Sequence, residues 1–374
     1  MTLLLPTPDG DLTRWTPSGT GFAPPSRGQS TTRTAYAAAH VVLDPLTGEL
    51  DWDTTAAFRH HLWSCGLGVA EAMDTAQRGM GLDWAETQKL IKRTGADARG
   101  PWVAGVGTDQ LPAGPSTVDA IVAAWREQYD LVTEAGALPV LMASRALAAA
   151  ASGPADYRAA YGKLLSTVEQ PVLLHWLGEQ FDASLAGYWG HSDVRKAADE
   201  LAALCAEHAE KIVGVKVSVL DAEIETAFRR ALPPGVACYT GDDFNYPELI
   251  AGDDQGHSEA LLGIFDPIAP VAGAAFDRLD AGDTAGFRAL LDPTVPLARQ
   301  IFRAPTQFYK TGVVFLAYLN GHQNHFRMLG GLESARSITH LATVLRLADE
   351  AGVLTDPELA VRRMRPLLET AGVW

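Results

Sequence analysis

The chain has 374 residues, of which 47% are hydrophobic and 20% charged, with 45 acidic against 30 basic side chains and a formal net charge of −15. At roughly 150 residues per domain this allows one large domain or two, with ample apolar material for a core. The acidic excess repels phosphate backbones and anionic lipid heads, so neither nucleic acid nor a membrane surface is an expected partner. Cys65, Cys205 and Cys238 are odd in number and widely spaced; they make neither a disulfide framework nor a zinc pattern and fit a reducing cytoplasm. No run of about 18 apolar residues occurs, and the apolar opening at residues 1–6 has no basic region before it, which argues against a membrane span and a signal peptide.

Residues 1–32 are rich in Pro, Gly, Ser and Thr and predict an irregular N-terminal extension with one short hairpin around Asp9-Gly10. From Arg33 onward apolar runs alternate with amphipathic stretches. The runs lie at 35–43, 68–73, 102–105, 138–143, 171–176, 212–219, 236–240 and 260–265. Helical stretches at 84–93, 118–135 and 193–210 fall between them, opened by Asp83 with Glu86 three residues on and by Ser192 before Asp193. Eight strand–helix repeats predict an α/β fold, a TIM (β/α)8 barrel over 33–267. Near-continuous apolar strands agree, because parallel strands are covered on both faces. The alternative, an open doubly wound sheet, needs a Gly-rich phosphate turn that Gly105-Val106-Gly107-Thr108-Asp109 approximates only weakly. Beyond 267 the strand signals stop. Caps or breaks near Asp283, Pro293, Pro305, Gly330 and Asp356 predict a helical C-terminal extension, 268–374, packed on the barrel.

The sixth run carries the strongest chemical signal. Alternation puts Val213, Val215, Val217 and Val219 on the helix-facing side and Ile212, Gly214, Lys216 and Ser218 inside the barrel. Lysine is rarely buried without a partner or a task. Desolvation lowers its pKa, and a neutral amine is the nucleophile that Schiff-base chemistry needs. The plain reading is a lysine that snorkels outward or pairs with an acid such as Asp242.

Ile212-Val213-Gly214-Val215-Lys216 and the turn Tyr239-Thr240-Gly241-Asp242-Asp243 resemble the lysine strand and the glycine–acid turn of the dihydrodipicolinate synthase and N-acetylneuraminate lyase superfamily, and in particular its uncharacterised dihydrodipicolinate-synthase-like branch. Asp51, Leu82 to Glu86 and Phe265 to Pro270 resemble further short motifs of that superfamily, over roughly residues 33–350. The resemblance implies a barrel, an imine on Lys216, no organic cofactor and a homo-oligomer, dimer or tetramer. Two departures stand out. Asp74-Thr75-Ala76-Gln77-Arg78 replaces the Gly-Thr-Thr-Gly-Glu that binds the 2-oxo acid carboxylate, and Met142-Ala143-Ser144-Arg145 replaces a Pro-Tyr-Tyr setting whose tyrosine moves protons.

Candidates for the missing roles are His175 at the end of the fifth strand, as a proton shuttle, and Ser144 as a further catalytic group. Thr75, Asp74, His40, Arg145, Gly241, Asp242 and Asp243 are candidates for substrate binding, with Arg78 beside Arg145 as a second clamp for a carboxylate or phosphate. The plain readings are a hydrogen-bonded core histidine, a turn that suits Gly-Asp, and surface arginines. Residues 178–192, with Gln180, Phe181, Tyr188, Trp189 and His191, form a long loop of the kind that serves as a lid. In Gly321-His322-Gln323-Asn324-His325-Phe326 two histidines three apart suit one helix face, more naturally as packing than as a metal tract.

The leading expectation is a carbon–carbon or carbon–oxygen lyase acting on a small 2-oxo acid or sugar-derived carbonyl compound through Lys216, without pyruvate specificity. The alternatives are a metal-dependent isomerase or lyase using His40, Asp74 and His175, and a non-catalytic ligand-binding protein on a degenerate aldolase scaffold.

Overall fold

The computed structural model describes residues 2–19, 21–22, 26–112 and 116–373. The chain opens with β1 (Leu3–Pro6) and β2 (Leu12–Trp15), an antiparallel hairpin that turns at Gly10, whose φ of 88° suits a residue without a Cβ. Met1 of the apolar opening lies outside the described residues. Then come β3 (Ala35–Ala38), α1 (Trp52–Ser64), β4 (Gly68–Glu71), α2 (Trp84–Ala96), β5 (Trp102–Val106), α3 (Val118–Glu134), β6 (Leu138–Leu141), α4 (Arg145–Ala150) and α5 (Pro154–Leu165). The second half holds β7 (Val172–Leu177), α6 (Val194–Glu207), β8 (Ile212–Ser218), α7 (Ala222–Ala231), β9 (Ala237–Thr240), α8 (Tyr246–Ala251) and β10 (Glu259–Leu262). Strands β3 to β10 pair in parallel, each with the next, and β10 closes on β3. The fold is a TIM barrel.

Side-chain alternation divides the barrel into two cores. Tyr36, Val103, Val140, Leu173, Tyr239 and Leu261 fill the interior. Val69, Leu141, Leu174, Val215 and Val217 face outward onto the helices. One register detail departs from simple alternation in β8. Val172 pairs with Ile212 but Leu173 pairs with Gly214, so Val213 is an extra residue in the ladder. Such a bulge inverts the faces on its N-terminal side. Ile212 therefore packs in the outer core and Val213 against the inner one, the reverse of the expectation, while Gly214, Lys216 and Ser218 keep their inward direction.

The caps mark where each helix starts. Asp83 accepts from the Glu86 amide, as its spacing predicts. At α6 the cap is Asp193 rather than Ser192; its carboxylate accepts from the Arg195 amide. After β10 the chain is helical: α9 (Ala269–Asp280), α10 (Thr284–Leu291), α11 (Val295–Ile301), α12 (Tyr309–Leu319), α13 (Ile338–Glu350) and α14 (Pro357–Thr370). Every residue of α12 is buried, and it packs among α11, α13 and α14 while β1 of the hairpin lies on α13 and α14. His322 and His325 fall in the irregular segment after α12, not on a helix face; His322 packs on His61, with ring centroids 4.3 Å apart. Among the described residues no helix is long and apolar enough to cross a membrane.

Candidate active site

Lys216 sits near the C-terminal end of β8, in register with His175 on β7 and Tyr239 on β9. The residue is 8% exposed. Its side chain lines a cavity with about 10 Å³ of free space, room for roughly one water molecule. Asp74 and Thr75 from the turn after β4, Ser218, Asp243 and Tyr309 give this cavity polar walls, and Phe181 and Phe302 are among its apolar ones. No hydrogen bond or ion pair holds the Lys216 ammonium among the described residues. Burial lowers its pKa, and the nearby charges of Asp74 and Asp243 oppose that shift.

The turn after β9 explains the neighbouring acid. Gly241 runs so close to β8 that a Cβ there would lie 2.8 Å from Lys216 Cε and closer still to Ser218 Oγ, so only glycine fits. This brings Asp243 into the cavity, where its carboxylate accepts from the Ile264 amide at 2.8 Å. Burial pushes the Asp243 carboxyl up to about 7, with Lys216 pulling the other way. Asp242 is turned away. It accepts from the Phe244 and Asn245 amides at 2.8 and 3.1 Å and from the Asn245 side chain at 2.8 Å, so it serves the turn rather than pairing with Lys216.

The two histidines part company. His175 Nε2 lies 3.2 Å from Ser218 Oγ, its Nδ1 is buried without a partner, and its ring is not among the cavity walls. Burial and then the adjacent Lys216 charge lower its pKa far enough to keep it neutral. His40 is engaged elsewhere: Nδ1 and the backbone amide both reach Asp266 at 2.8 Å, and Phe58 packs on the ring with centroids 4.2 Å apart. A metal centre of His40, Asp74 and His175 is not formed. Among the described residues no group of three His, Cys, Asp or Glu side chains could hold a metal ion.

Ser144 is engaged elsewhere as well. Its hydroxyl caps α4, accepting from the Leu147 amide at 3.1 Å, and is 2.7 Å from Thr108 Oγ1, so it does not reach the lysine cavity. Arg145 faces a second, larger cavity of about 990 Å³ that shares Asp74 and Leu177 with the first. Its side chain is 57% exposed and pairs with Asp182. Arg78 also borders that cavity, but its guanidinium is consumed by Asp109 at 2.7 and 3.1 Å, the Gly105 carbonyl at 2.6 Å and Gln128. It cross-links the βα turns. Of the aromatic loop, Phe181 reaches the lysine cavity, whereas Tyr188 and Trp189 are buried against Tyr161 of α5.

Tyr309 at the start of α12 lines the lysine cavity and escaped the sequence reading, as did its neighbour Lys310. The Tyr309 hydroxyl is 2.8 Å from that of Thr75. Lys310, itself buried, donates to the Gln307 carbonyl at 3.0 Å and lies 4.5 Å from the Tyr309 ring centroid. Burial lowers the Lys310 ammonium to about 8. The only local signal is the Pro305 break before the helix.

The fold is that of the dihydrodipicolinate synthase structures. Among them are the chloride-inhibited enzyme from Acinetobacter baumannii complexed with pyruvate (TM-score 0.65, 16% identity, 86% of this chain and 100% of that one), the enzyme from Aquifex aeolicus (0.62, 14%, 91% and 98%), and YagE, a prophage protein of the same family from Escherichia coli K12 in complex with pyruvate (0.64, 14%, 92% and 100%). The chain itself belongs to the family described as protein of unknown function (DUF993), whose model matches residues 3–373. No curated protein matches it significantly.

Proposed function

We propose that the protein is a Schiff-base-forming lyase, of aldolase or dehydratase type, acting on a small 2-oxo acid or sugar-derived carbonyl compound through Lys216. The observation that carries this is a buried lysine, unpaired among the described residues, in a small cavity beside two acids. A neutral amine attacks the carbonyl, and the protonated imine then acts as an electron sink when an adjacent bond breaks. Asp243, with its carboxyl near 7, is suited to take the first proton from the lysine. His175 is a positioning residue in this reading: uncharged, held by Ser218, and unable to place a second positive charge beside Lys216.

The small space at the lysine admits only the reacting end of a substrate, and the larger adjoining cavity is the place for the remainder, near Arg145 and Asp74. The pyruvate held by the two relatives supports 2-oxo acids as first probes. The lack of a second Thr after Thr75 weighs against restriction to pyruvate. The reading includes a cytoplasmic homo-oligomer, dimer or tetramer; a sedimentation mass near 39.9 kDa at micromolar concentration would overturn the assembly.

The test is borohydride reduction in the presence of pyruvate, 2-oxobutyrate or dihydroxyacetone, read by intact mass and peptide mapping. A single adduct on Lys216, absent from Lys216→Ala, is expected. No adduct with any probe, or an equal adduct on the variant, would overturn the reading.

A further inference from the structure

Making the imine requires moving protons within a cavity the size of a water molecule. A lysine ammonium and a ketone become a protonated imine and water. One of the three ammonium protons stays on nitrogen, and two leave with the carbonyl oxygen, so atoms and charge balance. Asp243 can accept the first, which frees the lone pair for attack, and return it to the oxygen as water departs. The second sits on a nitrogen that has become positively charged and must reach the oxygen beside it. Direct transfer between two atoms on one carbon passes through a strained four-membered ring, so a group that gives one proton to oxygen while taking another from nitrogen is needed.

The walls narrow the choice of that group. The Ser218 hydroxyl is engaged by His175, and the His175 ring does not line the cavity. Beside the carboxylates of Asp74 and Asp243, the walls offer the hydroxyl pair of Thr75 and Tyr309, 2.8 Å apart. Of the two, the phenol is far the more acidic, and its position is well held. Phe302 stacks on the ring at 4.4 Å with planes 13° apart, and Phe181 meets it edge-on at 6.2 Å. Gly263 just past β10 leaves the space the ring occupies, since a Cβ there would lie 3.2 Å from a Tyr309 ring carbon. The Lys310 ammonium packs over the ring, 4.5 Å from its centroid.

We infer that Tyr309, brought to the barrel mouth by the C-terminal helices, is a catalytic residue whose hydroxyl relays a proton between the Lys216 nitrogen and the substrate oxygen, with Thr75 orienting it. This rests on the imine reading of Lys216. The electrostatic surroundings agree: the same two acids, Asp74 and Asp243, act on both Lys216 and Tyr309, and burial holds the resting phenol in its protonated, donating form.

The experiment follows adduct growth over time, quenching pyruvate or 2-oxobutyrate mixtures with borohydride at intervals and reading the mass. Tyr309→Phe keeps the ring and its stacking. It is expected to reach the same final adduct on Lys216 as the natural chain, roughly 10²–10⁴-fold more slowly. Thr75→Val is expected to slow growth by about tenfold, the weight of one orienting hydrogen bond. A merely structural Tyr309 would lower the melting temperature and the final yield without slowing the folded fraction. A Tyr309→Phe rate equal to the natural one overturns this inference and leaves the lysine reading standing. Absence of any Lys216 adduct in the natural chain overturns both. If Tyr309→Phe does not fold, as judged by circular dichroism, the Thr75→Val rate decides, and an unchanged rate overturns the relay.

Discussion

Arg59 on α1 is 1% exposed and Lys216 on β8 is 8% exposed, so both cations are buried in the barrel. Arg59 grips both oxygens of Glu71 at 2.8 Å, and it also donates to the Thr55 carbonyl at 3.2 Å and to the His40 carbonyl. Glu71 in turn accepts from Thr94 Oγ1 at 2.8 Å and the Ala72 amide at 2.9 Å. Among the described residues Lys216 has no such set, only the charges of Asp74 and Asp243 nearby. A buried charge recovers its desolvation cost only when its partners are complete. Arg59 meets that condition and ties β4 to α1. Lys216 does not, so its burial is a cost borne by the fold, which is the pattern expected of a group kept for chemistry.

The contrast can be broken by replacing each cation with methionine. Lys216→Met is expected to abolish the borohydride adduct completely while leaving urea stability unchanged or higher, because it removes a strained charge. Arg59→Met is expected to cost about 3–5 kcal/mol in urea unfolding, since it strands a buried Glu71 carboxylate. Equal destabilisation by both would erase the distinction.

Glu225 on α7 sharpens it with a buried acid. Ser258 and Thr240 hydroxyls donate to it at 2.7 and 3.0 Å, yet burial pushes its carboxyl from 4.5 up to about 8. The folded chain therefore binds a proton that the unfolded chain has already lost. The resulting stability is fully present below the unfolded value and is lost as pH rises through about 8, at up to about 1.4 kcal/mol per pH unit. Glu225→Gln is expected to flatten the fall in melting temperature between about pH 5 and pH 8; a slope identical to that of the natural chain would show that the carboxyl does not titrate there. The smallest effect concerns the cavity wall. Phe181→Ala is expected to raise the adduct rate with 2-oxobutyrate relative to pyruvate by roughly tenfold, the scale of one apolar group in a pocket. An unchanged ratio would remove Phe181 from the route to Lys216.

The barrel and its lysine were legible in the linear sequence because both depend on local periodicity. Eight apolar runs spaced by amphipathic stretches specify a parallel closed sheet, and alternation about Val215 and Val217 directs Lys216 inward whatever surrounds it. Local pattern already falters at Val213, where one bulged residue inverts the faces at the start of the strand. It cannot choose between Asp242 and Asp243, adjacent and chemically alike, because the choice depends on which carboxylate the turn's own amides consume. Nor does it show that His40 is committed to Asp266, Arg78 to Asp109 and Ser144 to Thr108, partners brought close only by neighbouring strands and turns. Tyr309 is the extreme case. It lies in a C-terminal helix with nothing in its immediate sequence to connect it to β8, and its hydroxyl meets Thr75 only because the helices after β10 fold back over the barrel mouth. Periodicity sets which way a side chain points from its own element, whereas the company it keeps is decided by how elements distant in sequence are brought together.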